Sequence, residues 1–284
     1  MQLGVFEYVW KLFLGLSESL RVLARGTSLS NLGTFKGVHL EKLALIAAYR
    51  TWGGNMTNLA DRFVRNFIYE DRWRLITSGL LMTLRVAFFA VLLGIAIGFI
   101  VSIIRATCDK TGKLKILDFF CRVYLAIIRG TPVMVQVLII NFVIFSGPAV
   151  SRVFVAILAF GVNSGAYVAE IFRSGIMSVD SGQFEAGRSL GLSYVQTMIF
   201  IIMPQAFKNV LPALGNEFIV LLKETSIMGF IGLRDLTRAG DIIRSRTFDA
   251  FMPLIGVALI YLILVLGLTQ LLSMLERRLR TSER

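Results

Sequence analysis

Polar and charged side chains interrupt two long apolar segments, and they are the residues of this chain that could act on a solute. In the first segment Asn163, Tyr167 and Glu170 fall at positions i, i+4 and i+7, on one face of a helix. The second segment carries a similar polar stripe, formed by Asn216, Glu217, Lys223 and Glu224. Charges deep in a bilayer are costly, so such groups face a bundle interior or a wet cavity. The two stripes therefore predict the lining of a pathway for a zwitterionic or charged solute.

A structural role is the alternative for these polar residues. Glu170 lies near the end of its apolar segment, where it would pair with Arg173 or meet lipid headgroups. Gln136 and Asn141, in a third apolar segment, suit interhelical hydrogen bonds worth roughly 1 kcal/mol each. The pattern alone leaves both interpretations open.

The sequence contains no arrangement typical of a catalytic or cofactor site. It has no Gly-x-x-x-x-Gly-Lys-Ser/Thr phosphate loop, no spacing of metal ligands and no nucleophile elbow. We therefore expect no enzyme activity, no metal and no cofactor in this chain.

The elements that position the polar stripes are predicted to be membrane helices. Hydrophobic residues make up 56% of the chain, above the roughly 45–50% of soluble domains. Several apolar runs exceed the roughly 18 residues that indicate a membrane span. The fold class is therefore all-α, a multi-pass membrane protein. We predict about five transmembrane helices, at residues 75–104, 133–150, 153–172, 209–230 and 251–275.

Two further segments are apolar but are not predicted to span. Residues 113–128 alternate polar and apolar side chains at helical spacing, which indicates an amphipathic helix lying in the membrane interface. Residues 192–207 are almost long enough to cross, which would give six spans. Gln196, Thr197 and Pro204 in this stretch favour a position outside the lipid.

The positive charges predict the orientation of the chain. The net charge of +12 comes from basic loops and a basic C-terminal tail, so we infer no nucleic-acid partner. The positive-inside rule places the loop after the first span and the C-terminus in the cytoplasm, and the N-terminus outside. One arginine group would then lie outside, against the rule: Arg234, Arg238, Arg244 and Arg246.

A short polar loop at residues 181–191 carries the clearest motif. It contains Glu185-Ala186-Gly187, with Gly191 four residues after Gly187 and Met203-Pro204 further on. The pattern resembles the cytoplasmic coupling loop of ABC importer permeases, in which Ala is usual at position 187 and Leu at position 203. The segments 129–136, 166–176 and 222–226 also resemble permeases of the polar amino-acid uptake branch.

This resemblance implies an ABC type I importer transmembrane domain with a cytoplasmic coupling helix. It implies the residues of an ATPase-coupling loop, namely Gln183, Glu185, Ala186, Gly187, Gly191 and Pro204. Small residues at Ala186 and Gly187 would let the helix backbone approach the ATPase. The implied partners are an ABC ATPase dimer that binds ATP and Mg²⁺, a second permease subunit, a solute-binding protein and the lipid of the inner or plasma membrane.

The resemblance begins near residue 71, which predicts two parts. Residues 71–284 form the permease domain, and residues 1–70 form an extension of unknown role, either a remnant of a fused solute-binding domain or an unrelated segment. The alternative function is that of a secondary transporter or channel for small polar solutes, which would need no ATPase.

Overall fold

The computed structural model describes residues 59–147 and 150–281, so the extension up to residue 58 lies outside the described residues. All regular structure in the described ranges is helical. The helices are α1 (Leu59–Phe63), α2 (Trp73–Thr111), α3 (Lys115–Gly130), α4 (Val133–Ile139), α5 (Arg152–Met177), α6 (Ser181–Ser189), α7 (Tyr194–Thr197), α8 (Met203–Glu224), α9 (Leu236–Thr247) and α10 (Phe251–Thr281). Wider π-helical turns follow α1 (Val64–Ile68) and α4 (Ile140–Ile144) and join α7 to α8 (Met198–Ile202), and tighter 3-10 turns occupy Tyr69–Asp71 and Thr225–Ile231.

Four helical runs of the described chain are long and apolar enough to cross a membrane. They are Trp73–Asp109, Arg152–Met177, Tyr194–Ile231 and Phe251–Arg278. A fifth candidate is the pair Lys115–Gly130 and Val133–Ile144, whose two helices meet at an angle of 111°. The all-α, multi-pass fold with about five spans is confirmed.

The predicted second span is shorter than expected. Residues 133–150 were predicted to form one helix, but the helical turns end at Ile144. The sequence continues with Gly147 and Pro148. Both are unfavourable in a helix, and a residue that precedes proline is pushed towards extended backbone. At 1.5 Å per residue, the helix from Val133 covers only about 18 Å.

The segment 192–207 does not form a separate span. From Tyr194 it runs without a break into the fourth span, and the whole run extends to Ile231 over 38 residues. Such a helix is about 57 Å long, whereas the hydrocarbon core of a bilayer is about 30 Å thick. The chain has no reversal of direction within this run, so the alternative with six spans is not supported.

Close approach of α2 and α5 organises the bundle. An added Cβ at Gly94 would stand 2.8 Å from Ser164 Oγ, and one at Gly98 would stand 2.6 Å from a Val168 methyl group. Gly161 and Gly165 are equally crowded by side chains of α2. The small residues at helical spacing therefore let two backbones pack closely where packing replaces the hydrophobic drive of water.

Helix α3 is amphipathic as predicted, but its polar edge partly faces inward. Its outer face exposes Ile116, Phe119, Phe120 and Ile127. Asp118 is buried, with Oδ2 2.7 Å from Arg122 Nε and Oδ1 3.8 Å from Arg105 Nε of α2. Helix α3 thus contacts α2 through this carboxylate and through the buried side chains of Cys121 and Leu125, while its remaining apolar side chains face outward.

Candidate coupling helix and translocation pathway

Helix α6 contains the predicted coupling motif, and local chemistry sets both of its ends. Its N-cap is Asp180, whose Oδ1 accepts a 2.6 Å hydrogen bond from the Gly182 N–H. Such a cap satisfies an amide that has no partner within the helix. After Leu190 the chain turns at Gly191, which has φ +82°, a value that glycine adopts without strain. A glycine of the motif therefore forms the turn that ends α6.

The outer surface of α6 and the following turn is open to a partner. Gln183, Glu185 and Ala186 are exposed, as is Arg188. Leu190 is 79% exposed, which is unusual for a leucine at the end of a polar helix. These side chains present a small surface with an acid, a base and one large apolar group.

Gly187 faces the opposite way and is the buried residue of α6. An added Cβ would stand 2.6 Å from Thr197 Cγ2 and 2.9 Å from Ile201 Cδ1. Gly187 therefore packs against the start of the long helical run, which corrects the expectation that it brings the backbone close to an ATPase. Of the two small residues of the motif, Ala186 is exposed and Gly187 is buried.

Helix α6 has further contacts with the same helical run. Gln205 Nε2 approaches Gln183 Oε1 at 3.4 Å, and the rings of Phe184 and Tyr194 lie 5.5 Å apart. Pro204, the last residue of the predicted motif, lies exposed in the first turn of α8. Helix α6 and the start of the helical run from Tyr194 therefore pack together, although their contacting residues are up to 22 positions apart in sequence.

The structure divides the predicted pathway residues of α5 into two environments. Asn163 is buried, and its Nδ2 donates to Gln136 Oε1 at 2.8 Å. Gln136 Nε2 in turn donates to the Ile128 carbonyl and to Thr131 at the junction of α3 and α4. Asn163 is therefore part of an interhelical network, the role that the sequence suggested for Gln136.

Tyr167 and Glu170 face a group of arginines. The Arg129 guanidinium carbon lies 5.9 Å from the centre of the Tyr167 ring, and Arg129 Nη1 lies 4.0 Å from Glu170 Oε2. Arg173 Nε donates to Glu170 Oε1 at 2.8 Å. The pairing of Glu170 with Arg173 was the structural alternative, and it is present. Arg129, at the end of α3, was not predicted for this site.

The stripe on α8 belongs to two faces of the helix. Glu217 is buried and accepts a 2.8 Å hydrogen bond from Ser164 Oγ of α5. Glu224 lies seven residues later and is partly buried, whereas Asn216 and Lys223 are exposed. Two carboxylates therefore turn towards the bundle, while an amide and an ammonium group turn outward. Ser164 was missed by the sequence reasoning, although it lies next to Asn163 in a run of small residues.

Comparisons with known proteins agree with this geometry. Residues 94–281 match the family described as "Binding-protein-dependent transport system inner membrane component". The chain is 36% identical over 210 residues to the arginine transport system permease protein ArtQ of Bacillus subtilis (strain 168), with 73% of this chain and 94% of that protein covered. It is also 36% identical over 209 residues to the glutamine transport system permease protein GlnP of Escherichia coli (strain K12), with 72% and 93% covered.

Solved structures share the fold. The crystal structure of an amino acid ABC transporter with histidines is 44% identical, with a TM-score of 0.66 over 72% of this chain and 94% of that chain. The MetNI methionine ABC transporter in an inward-facing conformation has a TM-score of 0.64 at 19% identity, over 74% of this chain and 98% of that chain, so it supports the fold alone. With its helical bundle, its exposed α6 and these matches, the chain belongs to the family of inner-membrane permease components of binding-protein-dependent ABC importers.

Proposed function

We propose that this permease moves a polar amino acid into the cell, driven by separate ATPase subunits. The observation that carries the proposal is the similarity to arginine and glutamine permeases, which covers nearly the whole length of those proteins. The amino acid ABC transporter with histidines, at 44% identity, adds support from a solved structure.

The partners are those expected for the family, and α6 offers a surface for one of them. An ATPase dimer that binds ATP and Mg²⁺ docks on the exposed side chains of α6, with Leu190 entering an apolar cleft and Glu185 meeting a donor on the ATPase. A second permease subunit completes the membrane part, either another copy of this chain or a related one. A solute-binding protein delivers the amino acid from outside.

The solute passes along the faces of α5 and α8 that carry ionisable groups. Glu217 and Glu224, which turn towards the bundle, provide negative charge for an α-ammonium group. The Lys223 ammonium group turns outward and does not face the same solute. Charged groups at such positions are costly in lipid and therefore commonly mark a solute pathway. Asn163, Tyr167 and Glu170 shape this region, since they hold α5 against α3 and α4.

The orientation is proposed from the basic loops: the N-terminus lies outside and the C-terminus in the cytoplasm. The coupling helix α6 is then cytoplasmic, and α9 lies outside. In α9, Asp241 binds both Arg238 and Arg244, which offsets part of the positive charge on that side. Labelling of single cysteines in intact cells tests the orientation, and labelling of α9 from the cytoplasm alone would contradict it.

The deciding experiment is uptake into proteoliposomes. The permease is co-expressed with candidate ABC ATPase subunits and reconstituted with a candidate solute-binding protein, each chosen by whether it forms a stable complex with the permease. Labelled glutamine, arginine and histidine are then offered with ATP at the ATPase side. We expect uptake of at least one of them that requires ATP hydrolysis. Equal uptake by the permease alone, driven by an ion gradient, would instead identify a secondary transporter.

A further inference from the structure

The contact between Gly187 and Thr197 leaves no room for a side chain on the coupling helix. A Cβ at Gly187 would stand 2.6 Å from Thr197 Cγ2 and 3.1 Å from Thr197 Oγ1. Ordinary contacts between such carbon atoms are close to 3.5–4.0 Å. The two elements are therefore already in contact, with the glycine hydrogen filling the remaining space.

The neighbours of Gly187 differ in how easily they can move. Ile201 contributes only the terminal Cδ1, the end of a flexible side chain. Thr197 is fully buried, and its Oγ1 donates to the Ser193 carbonyl at 3.0 Å. A β-branched side chain has few allowed rotamers in a helix, so Thr197 can give way only by breaking this hydrogen bond. Thr197 is the rigid part of the contact.

Thr197 also belongs to the element that reaches the pathway. The helical run from Tyr194 to Ile231 is continuous and carries Glu217. Further along it, Asn209 Nδ2 donates to Ser178 Oγ at 2.9 Å, next to the start of α6. A displacement of α6 therefore reaches the fourth span through direct packing, without a flexible loop in between.

We propose that the Gly187–Thr197 contact fixes the position of the coupling helix on the fourth span. Gly187 is a positioning residue that acts through Thr197. It sets the distance between α6 and the fourth span, and with it the position of Gln183, Glu185 and Leu190 relative to the ATPase. The inference rests on the proposed coupling role of α6. Alanine is the usual residue at this position of the related motif. Here its methyl group displaces α6 from Thr197, although alanine has a higher helix propensity than glycine.

The test moves one methyl group across the contact. Gly187→Ala adds a methyl group on α6. Thr197→Ser removes Cγ2 from the other side and keeps the hydroxyl that binds Ser193. The double variant restores the original volume. Gly130→Ala is the matched control, because a Cβ at Gly130, near the end of another helix, meets nothing within 4 Å.

The readout is the number of solute molecules taken up per ATP hydrolysed in the reconstituted complex, together with the amount of permease in the membrane. We expect Gly187→Ala to lower this ratio about tenfold, equivalent to about 1.4 kcal/mol of coupling. The double variant recovers to within about twofold of the natural protein, and the Gly130→Ala control is unchanged. A general loss of folding would lower the amount of protein and leave the ratio unchanged.

Two results would overturn the proposal: a normal ratio in Gly187→Ala, or a double variant as impaired as the single one. If Gly187→Ala does not reach the membrane, the amount of the double variant in the membrane decides instead. Recovery of that amount supports the proposed role of the Gly187–Thr197 contact, and no recovery contradicts it. A natural protein that takes up solute without ATP would contradict the proposed function itself. ATP-driven uptake by the natural protein, without rescue in the double variant, would contradict only the proposed role of the Gly187–Thr197 contact.

Discussion

Arg62, near the start of the described chain, and Asp249, just before the last helix, form a two-point ion pair. Arg62 Nε donates to Asp249 Oδ2 at 3.0 Å, and Nη2 donates to Oδ1 at 2.6 Å. Asn66 adds a third hydrogen bond to Oδ2 at 2.9 Å. The Asp249 side chain is only 5% exposed. The pair attaches the segment before the first span to the start of the last helix, so the described part of the predicted extension is bound to the permease domain.

Asp249→Asn should destabilise the protein because it leaves Arg62 without its counter-charge. Asp249 is buried but the Arg62 side chain is 23% exposed, so loss of the pair should cost about 2 kcal/mol, less than for a fully buried pair. We expect a lower thermal unfolding midpoint in detergent. The matched control is Asp241→Asn. Asp241 also has several contacts with arginines, Arg238 and Arg244, but these pairs are more exposed, so their loss should have little effect. Equal shifts in the two variants would show that burial of Asp249 contributes nothing.

The contribution of Asp249 should depend on pH. Burial alone would raise the pKa of Asp249, but hydrogen bonds from Arg62 and Asn66 outweigh it and hold the pKa below its ordinary value of 3.8. A carboxylate with a depressed pKa stabilises the fold above its unfolded-state pKa and loses this effect as the pH falls through the folded-state pKa. The difference in unfolding midpoint between the natural protein and Asp249→Asn should therefore be constant from pH 7 to about pH 5 and shrink below about pH 4.

Glu185→Lys should uncouple ATP hydrolysis from uptake. Glu185 is exposed on α6 and has no structural partner to lose within the described chain, so insertion into the membrane should be normal. Reversal of its charge at the proposed ATPase contact should reduce uptake about tenfold or more, the effect of at least about 1.4 kcal/mol. Ser189→Ala on the same helix is the control. Normal substrate-stimulated uptake in Glu185→Lys would remove Glu185 from the coupling surface.

Glu217→Gln separates a role in solute binding from a role in packing. Glutamine has nearly the same shape and still accepts the hydrogen bond from Ser164, so the fold should be retained. If the carboxylate binds the ammonium group of the solute, KM should rise about tenfold or more. Ser164→Ala removes the hydrogen bond but keeps the charge and should leave KM nearly unchanged. The same kinetics in both variants would indicate a packing role only.

Gly98→Ala should disrupt the packing of α2 on α5. The added methyl group would stand 2.7 Å from the backbone nitrogen of Ala169, and a backbone atom in a helix cannot rotate away. Overpacking of this kind costs about 1–3 kcal/mol. We expect a lower unfolding midpoint, measured against Gly267→Ala in α10, where a Cβ meets nothing within 4 Å. An unchanged midpoint would mean that the two helices separate easily.

The local features of this protein could be predicted from its sequence. Long uncharged runs specify membrane helices because a helix satisfies its backbone hydrogen bonds within one segment of chain in lipid. The helical spacing of residues 113–128 specified an amphipathic helix. The motif around Glu185 predicted a short helix followed by a turn, and α6 with Gly191 has this form because capping residues and glycine act within a few positions of the chain.

The neighbours of each helix were decided only by the tertiary structure. Helical period tells which side chains share a face, but the rotation of that face depends on packing between segments far apart in sequence. Gly187 was therefore assigned to the partner surface although it packs on Thr197, and the α8 stripe of Asn216 and Glu217 was taken as one face although it divides into two. The pairs Asn163–Gln136 and Arg62–Asp249 likewise form only when distant helices meet, because a buried polar group takes the partner that the packed bundle brings within reach.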